Sequence, residues 1–255
     1  MATGAQPAPG AAPVSAAATH QGKVRPDNED AYLEAPEIGL WAVADGMGGL
    51  DAGEIASAKV IDALRTVPAE PDLDARMAEV ARRLDDAHGA VRAMMDTGTV
   101  GSLGSTVAVL LIAGDAYTCL WAGDSRIYRL RGGGLQRVSH DHSYVQELVD
   151  SGTISADLAP FHPMRSIVTR CLGATDAFEP ERRGGQVAPG DRFLLCSDGL
   201  TEMLPDVDIV EILTGRNAAD AVAALIDATL DRGAVDNVTA VVVDAWPADQ
   251  ATTSS

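Results

Sequence analysis

The sequence predicts an α+β fold: two antiparallel sheets packed face to face, with helix pairs covering the outside, a four-layer α-β-β-α sandwich. Three observations predict it. Short β-type runs separated by Gly-rich turns fill the middle of the chain, as in a meander. Two helical stretches lie early and two lie late. Too few helices alternate with strands for a doubly wound parallel sheet.

The elements follow in order. Residues 1–13 are mostly Ala, Pro, Gly and Gln and are expected to be a disordered tail. A first strand is expected at 14–19, a polar loop at 22–30, and short strands at 31–33 and 38–44, with Pro36 between them. Residues 51–67 read as a helix because Ile55, Ala58, Ile61, Ala63 and Leu64 recur near helical spacing and Pro68 ends the run. A longer helix over 72–95 carries Leu73, Met77, Val80, Leu84, Val91 and Met94 on one stripe, which is read as core. The period then shortens, with β-type runs at 105–112, 117–122, 127–130 and 135–138. Residues 140–173 interrupt the strands and are expected to be an insertion at one edge, helical at 144–151 and 156–161. Strands return at 178–187 and 192–196, helices follow at 207–213 and 218–230, and a last strand lies at 238–243. One domain over 14–246 and a polar tail over 247–255 complete the expected layout.

Composition excludes several classes of function. The formal net charge of −18 repels nucleic acid and anionic membrane, and no Lys/Arg block compensates. Cys119, Cys171 and Cys196 are odd in number and sit in or beside apolar runs, so they read as buried free thiols in a reducing compartment. No run approaches the ~20 apolar residues of a membrane helix, and the N-terminus lacks the pattern of a secretory signal. A cytoplasmic protein is expected.

One stretch organises the chemistry. Leu40-Trp41-Ala42-Val43-Ala44 ends in Asp45, and Gly46, Gly48 and Gly49 free the backbone to turn. Phe193-Leu194-Leu195-Cys196-Ser197-Asp198-Gly199 repeats the design. Taken alone, either reads as a hairpin, since Asp-Gly after an apolar run is a strong hairpin signal. The alternative is an Asp fixed at a strand mouth as a metal ligand. Five acidic stations share that character: Glu29-Asp30, Asp45, Asp124, Asp198 and Asp236. Carboxylates that converge cannot all stay charged unaided. At ~4 Å and an effective dielectric of ~20, each like-charge pair costs about 4 kcal/mol. Metal ions remove that cost, and all-oxygen ligands select Mg²⁺ or Mn²⁺. Spacing alone leaves convergence open.

Six motifs occur in one order: Gly22-Lys23-Val24-Arg25 with Asn28-Glu29-Asp30, Val43-Ala44-Asp45-Gly46-Met47-Gly48-Gly49, Gly123-Asp124-Ser125-Arg126, Asp141-His142-Ser143, Leu195-Cys196-Ser197-Asp198-Gly199-Leu200 and Asp236-Asn237-Val238-Thr239. In these the chain resembles the bacterial branch of the metal-dependent serine/threonine protein phosphatases, the PPM or 2C type. The resemblance covers about Thr19 to Trp246 and implies the same sandwich, with a site at one end. It implies two core ions, Mn²⁺ or Mg²⁺, bridged by Asp45, with the Gly46 carbonyl and water completing one shell, Asp198 and Asp236 on the first ion and Glu29 holding the second largely through water. Asp124 with Asp198 would hold a third, looser ion. Arg25 would grip the substrate phosphate, and residues 140–173 would be a flap beside the site. The catalytic residues so implied are Arg25, Asp45 and Asp198. The implied partners are phosphorylated proteins and a Ser/Thr kinase that the enzyme opposes, with a monomer expected and type VI secretion control as one setting.

Met47 departs from the eukaryotic branch, where a His follows the Asp-Gly pair and serves as proton donor. A thioether cannot donate a proton. His140, His142 and His162 lie in or near the flap and read as surface or flap packing, and metal-bound water is the other donor candidate. Cys196 lacks a basic neighbour in sequence and reads as core. Two other readings remain open. A two-metal phosphodiesterase would be told apart by its ester preference. A catalytically silent phosphoprotein-binding relative would lack an acidic station, and all five are present.

Overall fold

The computed structural model describes residues 12–48, 52–70, 72–96, 103–174 and 176–245. Of the two expected tails, all but Ala12 and Pro13 lie outside the described residues, as does Gly49. The strands are β1 (Val14–His20), β2 (Asp30–Ala35), β3 (Leu40–Gly48), β4 (Leu103–Ser105), β5 (Val107–Ala113), β6 (Ala116–Ala122), β7 (Arg126–Arg131), β8 (Gly134–Arg137), β9 (Glu181–Gln186), β10 (Arg192–Cys196) and β11 (Val238–Asp244). The helices are α1 (Ala52–Arg65), α2 (Leu73–Asp96), α3 (Tyr144–Asp150), α4 (Asp198–Thr201), α5 (Asp206–Leu213) and α6 (Ala218–Asp231).

Two antiparallel sheets result. One has the order β1-β11-β10-β7-β8; the other runs β2-β3-β5-β6-β9, with β4 added to the end of β3. Strand alternation sorts the side chains into layers. Trp41 and Val43 of β3, Phe193 and Leu195 of β10, and Val241 and Val243 of β11 fill the space between the sheets. Leu40, Ala42 and Ala44 face the other way and pack under α1 and α2. Leu194, Cys196, Ala240 and Val242 likewise pack under α5 and α6. The order of layers is therefore helix pair, sheet, sheet, helix pair, the predicted four-layer architecture. No helix among the described residues is long and apolar enough to cross a membrane.

Local differences from the sequence reading have physical causes. Neither Asp-Gly pair forms a hairpin. β3 runs on through Asp45 and Gly46, which pair with β2 and β4, and Asp198-Gly199 opens α4. The strand expected at 38–44 begins at Leu40, because Pro36–Ile38 form a 3-10 turn ended by Gly39 at φ +61°. The buried stripe of α1 is Ala52, Ala56, Val60, Ile61 and Leu64, while Ile55 and Ala58 face outward. Small residues at 52 and 56 let the helix lie close to the sheet. The run expected at 105–112 is two strands, β4 and β5, with Thr106 between them. The strand expected at 178–187 shortens to β9, and the helix expected at 156–161 to a 3-10 turn, Ala159–Phe161.

The insertion is closed at its base. Tyr144 N donates to Ile167 O at 2.8 Å and Thr169 N to His142 O at 2.8 Å. Between those bonds lie α3, capped by Ser143, and the 3-10 turn.

Candidate active site

The site forms where β3, β10 and β11 present the same end of the sandwich. Residues 40–44 are fully buried and anchor β3, so Asp45 leaves a rigid element. Its backbone is held on both sides by Thr106: Asp45 N donates to Thr106 Oγ1 at 3.0 Å, and Thr106 N donates to Asp45 O at 2.8 Å. Asp30 stands opposite Asp45 in the β2–β3 pair, which puts both side chains on one face. Gly46 is obligatory. A Cβ there would meet Gly53 O at 2.0 Å and Glu29 O at 2.7 Å, where the start of α1 crosses the strand.

Asp198 opens α4 directly after β10. The preceding Ser197 caps nothing, because its hydroxyl donates to Asp30 Oδ2 at 2.7 Å. Thr239 Oγ1 donates to the same oxygen at 2.7 Å. Asn237 ties the loop of Glu29 to β11: its Oδ1 accepts from Glu29 N at 2.9 Å, and its Nδ2 donates to Gln21 O and Asp27 O at 2.8 Å each. Arg25 Nη2 meets Asp236 Oδ2 at 2.6 Å. The Glu29 carboxylate accepts from the Gly53 backbone N–H.

These carboxylates feel one another. Burial and then the neighbouring Asp30, Asp198, Asp124 and Asp236 hold Asp45 well above the usual carboxylate range. Asp198 is raised likewise, by burial and then by Asp124, Glu202, Asp236 and Asp30. Burial pushes Asp30 up to about 6 against the hydroxyls that favour its charged form, and Asp124 up to about 6 with help from Asp141. Burial also raises Glu29. Among the described residues, the cation bonded to this group is Arg25, on Asp236.

Asp124 lies in the turn between β6 and β7, and with Asp198 it lines a cavity of about 690 Å³ beside the flap. Thr106 Oγ1 is 2.7 Å from Ser125 Oγ, so one hydroxyl links the Asp45 backbone to the Asp124 turn. The histidines have other partners. His142 is buried, accepts from Gly123 N at Nδ1 and is held below its usual pKa by burial. His140 Nε2 lies 2.7 Å from Asp150, and His162 Nδ1 accepts from Met164 N. Met47 pairs with Gly104 at the end of β3. Cys196 is fully buried, and burial pushes its thiol up to about 12, so it is a core thiol rather than a nucleophile.

With this geometry in hand, similarity to known proteins is decisive. The family profile described as protein phosphatase 2C matches residues 16–240. The chain belongs to the protein phosphatase 2C family. It is 40% identical over 232 residues to the serine/threonine protein phosphatase PstP of Mycobacterium tuberculosis, a match covering 90% of this chain and 44% of the relative. It thus spans less than half the length of that relative. PhpP of Streptococcus pneumoniae, named a protein phosphatase, is 30% identical over 233 residues, 88% of this chain and 94% of the relative. Among solved structures, one described as PppA, a key regulatory component of T6SS in Pseudomonas aeruginosa, superposes with a TM-score of 0.87 at 43% identity, covering 92% of this chain and 99% of that one. The catalytic domain of PstP in complex with two manganese ions gives a TM-score of 0.82 at 36% identity over 92% of this chain and 98% of that one.

Within this 2C frame the donor set suits hard cations. It is all oxygen, the carboxylates raise one another's pKa, and Asp30 Oδ1 is buried with no hydrogen-bond partner. Among the described residues no three His, Cys, Asp or Glu side chains are spaced to hold a metal ion as they stand. Of the residues singled out from sequence, Arg25, Glu29, Asp45, Gly46, Asp124, Asp198 and Asp236 come together at the sheet ends, Asp124 being the carboxylate that acts most strongly on Asp198. Sequence reasoning counted Asp30 among the acidic stations without giving it an ion, and gave no role to Thr106 or Asn237. Asn237 sits inside a quoted motif, and that was the available signal for it.

Proposed function

We propose that the chain is a metal-dependent protein serine/threonine phosphatase that hydrolyses phosphoserine and phosphothreonine monoesters. The observation that carries this reading is the convergence of Asp45, Asp124, Asp198, Asp236 and Glu29, with Arg25 on Asp236, in a member of the 2C family. Asp45, the Gly46 carbonyl, Asp198, Asp236 and Glu29 would hold two ions, Mn²⁺ or Mg²⁺; Asp124 with Asp198 would hold a third. When bound, the ions would supply an activated water and the positive charge that phosphoryl transfer needs. The chain's own groups do the rest. Arg25 exchanges Asp236 for the substrate phosphate, whose oxygens its planar fork matches. Thr106 holds the Asp45 backbone in register with the Asp124 turn. No His side chain stands at the strand mouth, so the leaving oxygen takes its proton from water in the site.

The proposed layout is one catalytic domain over 14–246 with a flap at 140–173. The partners are phosphoproteins and a Ser/Thr kinase whose action the enzyme reverses, in the cytoplasm and as a monomer. Likeness to PppA supports the narrower setting of type VI secretion control. Chelation should abolish phosphopeptide hydrolysis and Mn²⁺ or Mg²⁺ restore it, and Asp45→Asn should lose at least about 100-fold in kcat while remaining folded. Full activity of protein shown metal-free by elemental analysis would sink the mechanism. Phosphoproteomics of a strain lacking the gene tests the setting: secretion components with unchanged phosphorylation would exclude it.

A further inference from the structure

Asp124 and Asp198 do not stand in a closed slot. They line the 690 Å³ cavity together with residues of the flap. Its other walls include Val145 and Val149 of α3, Phe161 of the 3-10 turn, Met203 just after α4, and Val235. Phe161 is 82% exposed and Val235 is 44% exposed. Leu158, Met164 and Ile167 are exposed on the same flap. A concentration of bare apolar groups beside a reactive centre marks a binding surface.

Three arginines also line the cavity, which at first suggests acidic ligands. Each has a carboxylate of the same lining beside it. Arg126 lies 2.7 Å and Arg137 3.2 Å from Asp141, and Arg165 lies 3.6 Å from Glu202. Both of those carboxylates line the same cavity. With Asp124 and Asp198 the lining carries four carboxylates against three guanidinium groups, so an acidic side chain entering the cavity would meet no net positive charge. An apolar one would cover the exposed face of Phe161 and displace water from Val145, Val149 and Met203.

We propose that this cavity is a subsite for an apolar side chain close in sequence to the phosphorylated residue of the protein substrate. This deepens the phosphatase reading and rests on it. Continuity sets the occupant: a phosphoryl group placed at Asp45 and Asp198 leaves its chain neighbours at about 3.3 Å per residue, so residues within three positions reach the cavity.

The test uses the full chain with Mn²⁺, phosphothreonine peptides that differ only within three positions of the phosphothreonine, and a small aryl phosphate as reference. Peptides with Leu, Met or Phe at one of those positions should exceed matched Asp peptides about tenfold in kcat/KM, chiefly through KM. The same order should appear in the Kd of peptides carrying a non-hydrolysable phosphonate, read by calorimetry. In Phe161→Ala and Met203→Ala the ratio of apolar to acidic peptides should fall toward one. Truncating Phe161 removes a mostly exposed ring and little core. Equal rates for apolar and acidic peptides, with the aryl phosphate still hydrolysed, would overturn the subsite and leave the phosphatase reading standing. A preference that persists undiminished in both variants would overturn the location. Failure to hydrolyse any phosphomonoester would overturn both readings.

Discussion

Arg25 reaches Asp236 at 2.6 Å with about half of its own side chain exposed. An exposed ion pair of this kind contributes little to stability, so either partner can be traded for another ligand. A phosphate dianion offers the guanidinium two oxygens in the geometry of its fork. Arg25→Ala should therefore raise the inhibition constant of inorganic phosphate and the KM of a phosphopeptide together, each by about tenfold, and Arg25→Lys should recover part of the loss. An unchanged inhibition constant in Arg25→Ala would show that another group grips the phosphate. The arginine itself was legible, because it sits three residues before Asn28-Glu29-Asp30. Its partner was not, since Asp236 lies 211 residues away and the bond is a fact of the closed sandwich. Thr106 and Asn237 escaped for a related reason. A hydroxyl or amide in a turn looks the same in sequence whether it caps its own backbone or, like Thr106, pins a strand from another element.

Elements were legible where a pattern ran long enough. α2 spans 24 residues, and its apolar stripe identified both the helix and its buried face. β4 and α4 span three and four residues, too short for any period to show, and their existence depends on β3 and β10 being in place beside them. The spacing that identified α1 included Ile61 and Leu64, which are buried, but small alanines rather than Ile55 make the rest of its sheet contact. That contact gives a test. At Gly46 a methyl would be driven to 2.0 Å from Gly53 O, backbone against backbone, so strand and helix must part. Gly46→Ala should lower the unfolding free energy by at least about 2 kcal/mol and weaken Mn²⁺ binding. Gly89, in the middle of α2, has nothing within 4 Å of a built Cβ. Gly89→Ala should add about 0.5–1 kcal/mol and leave Mn²⁺ binding unchanged. Urea unfolding and calorimetry measure both; a Gly46→Ala protein as stable as the parent would refute the close approach.

For the whole molecule, the same carboxylates that make the site work against the fold. The chain carries a net charge of −18, and Asp30, Asp45, Asp124 and Asp198 gather at one end of the sandwich. Asp30 and Asp124 are pushed up to about 6 when folded, and Asp45 and Asp198 are also raised, against about 3.9 for an unfolded Asp. The sign follows from linkage. Above about pH 4 the unfolded chain releases these protons while the folded protein keeps them, so the folded state binds more protons and stability falls as pH rises through the folded values. The metal-free protein should therefore melt at least about 4 °C higher at pH 5.5 than at pH 7.5. Mn²⁺ competes with protons for the same oxygens, so saturating Mn²⁺ should reverse the order and favour pH 7.5. At 100 times its dissociation constant, each ion adds about 2.7 kcal/mol. A general relief of surface repulsion on acidification would also raise the melting point, and Asp45→Asn separates the two causes. It removes one buried charge and hardly changes the surface. If the cluster is the source, metal-free Asp45→Asn should melt higher than the parent at pH 7.5, show a shallower pH slope, and gain less from Mn²⁺. A parent and variant with the same metal-free melting point and the same slope would show that the acidic cluster stores no such strain.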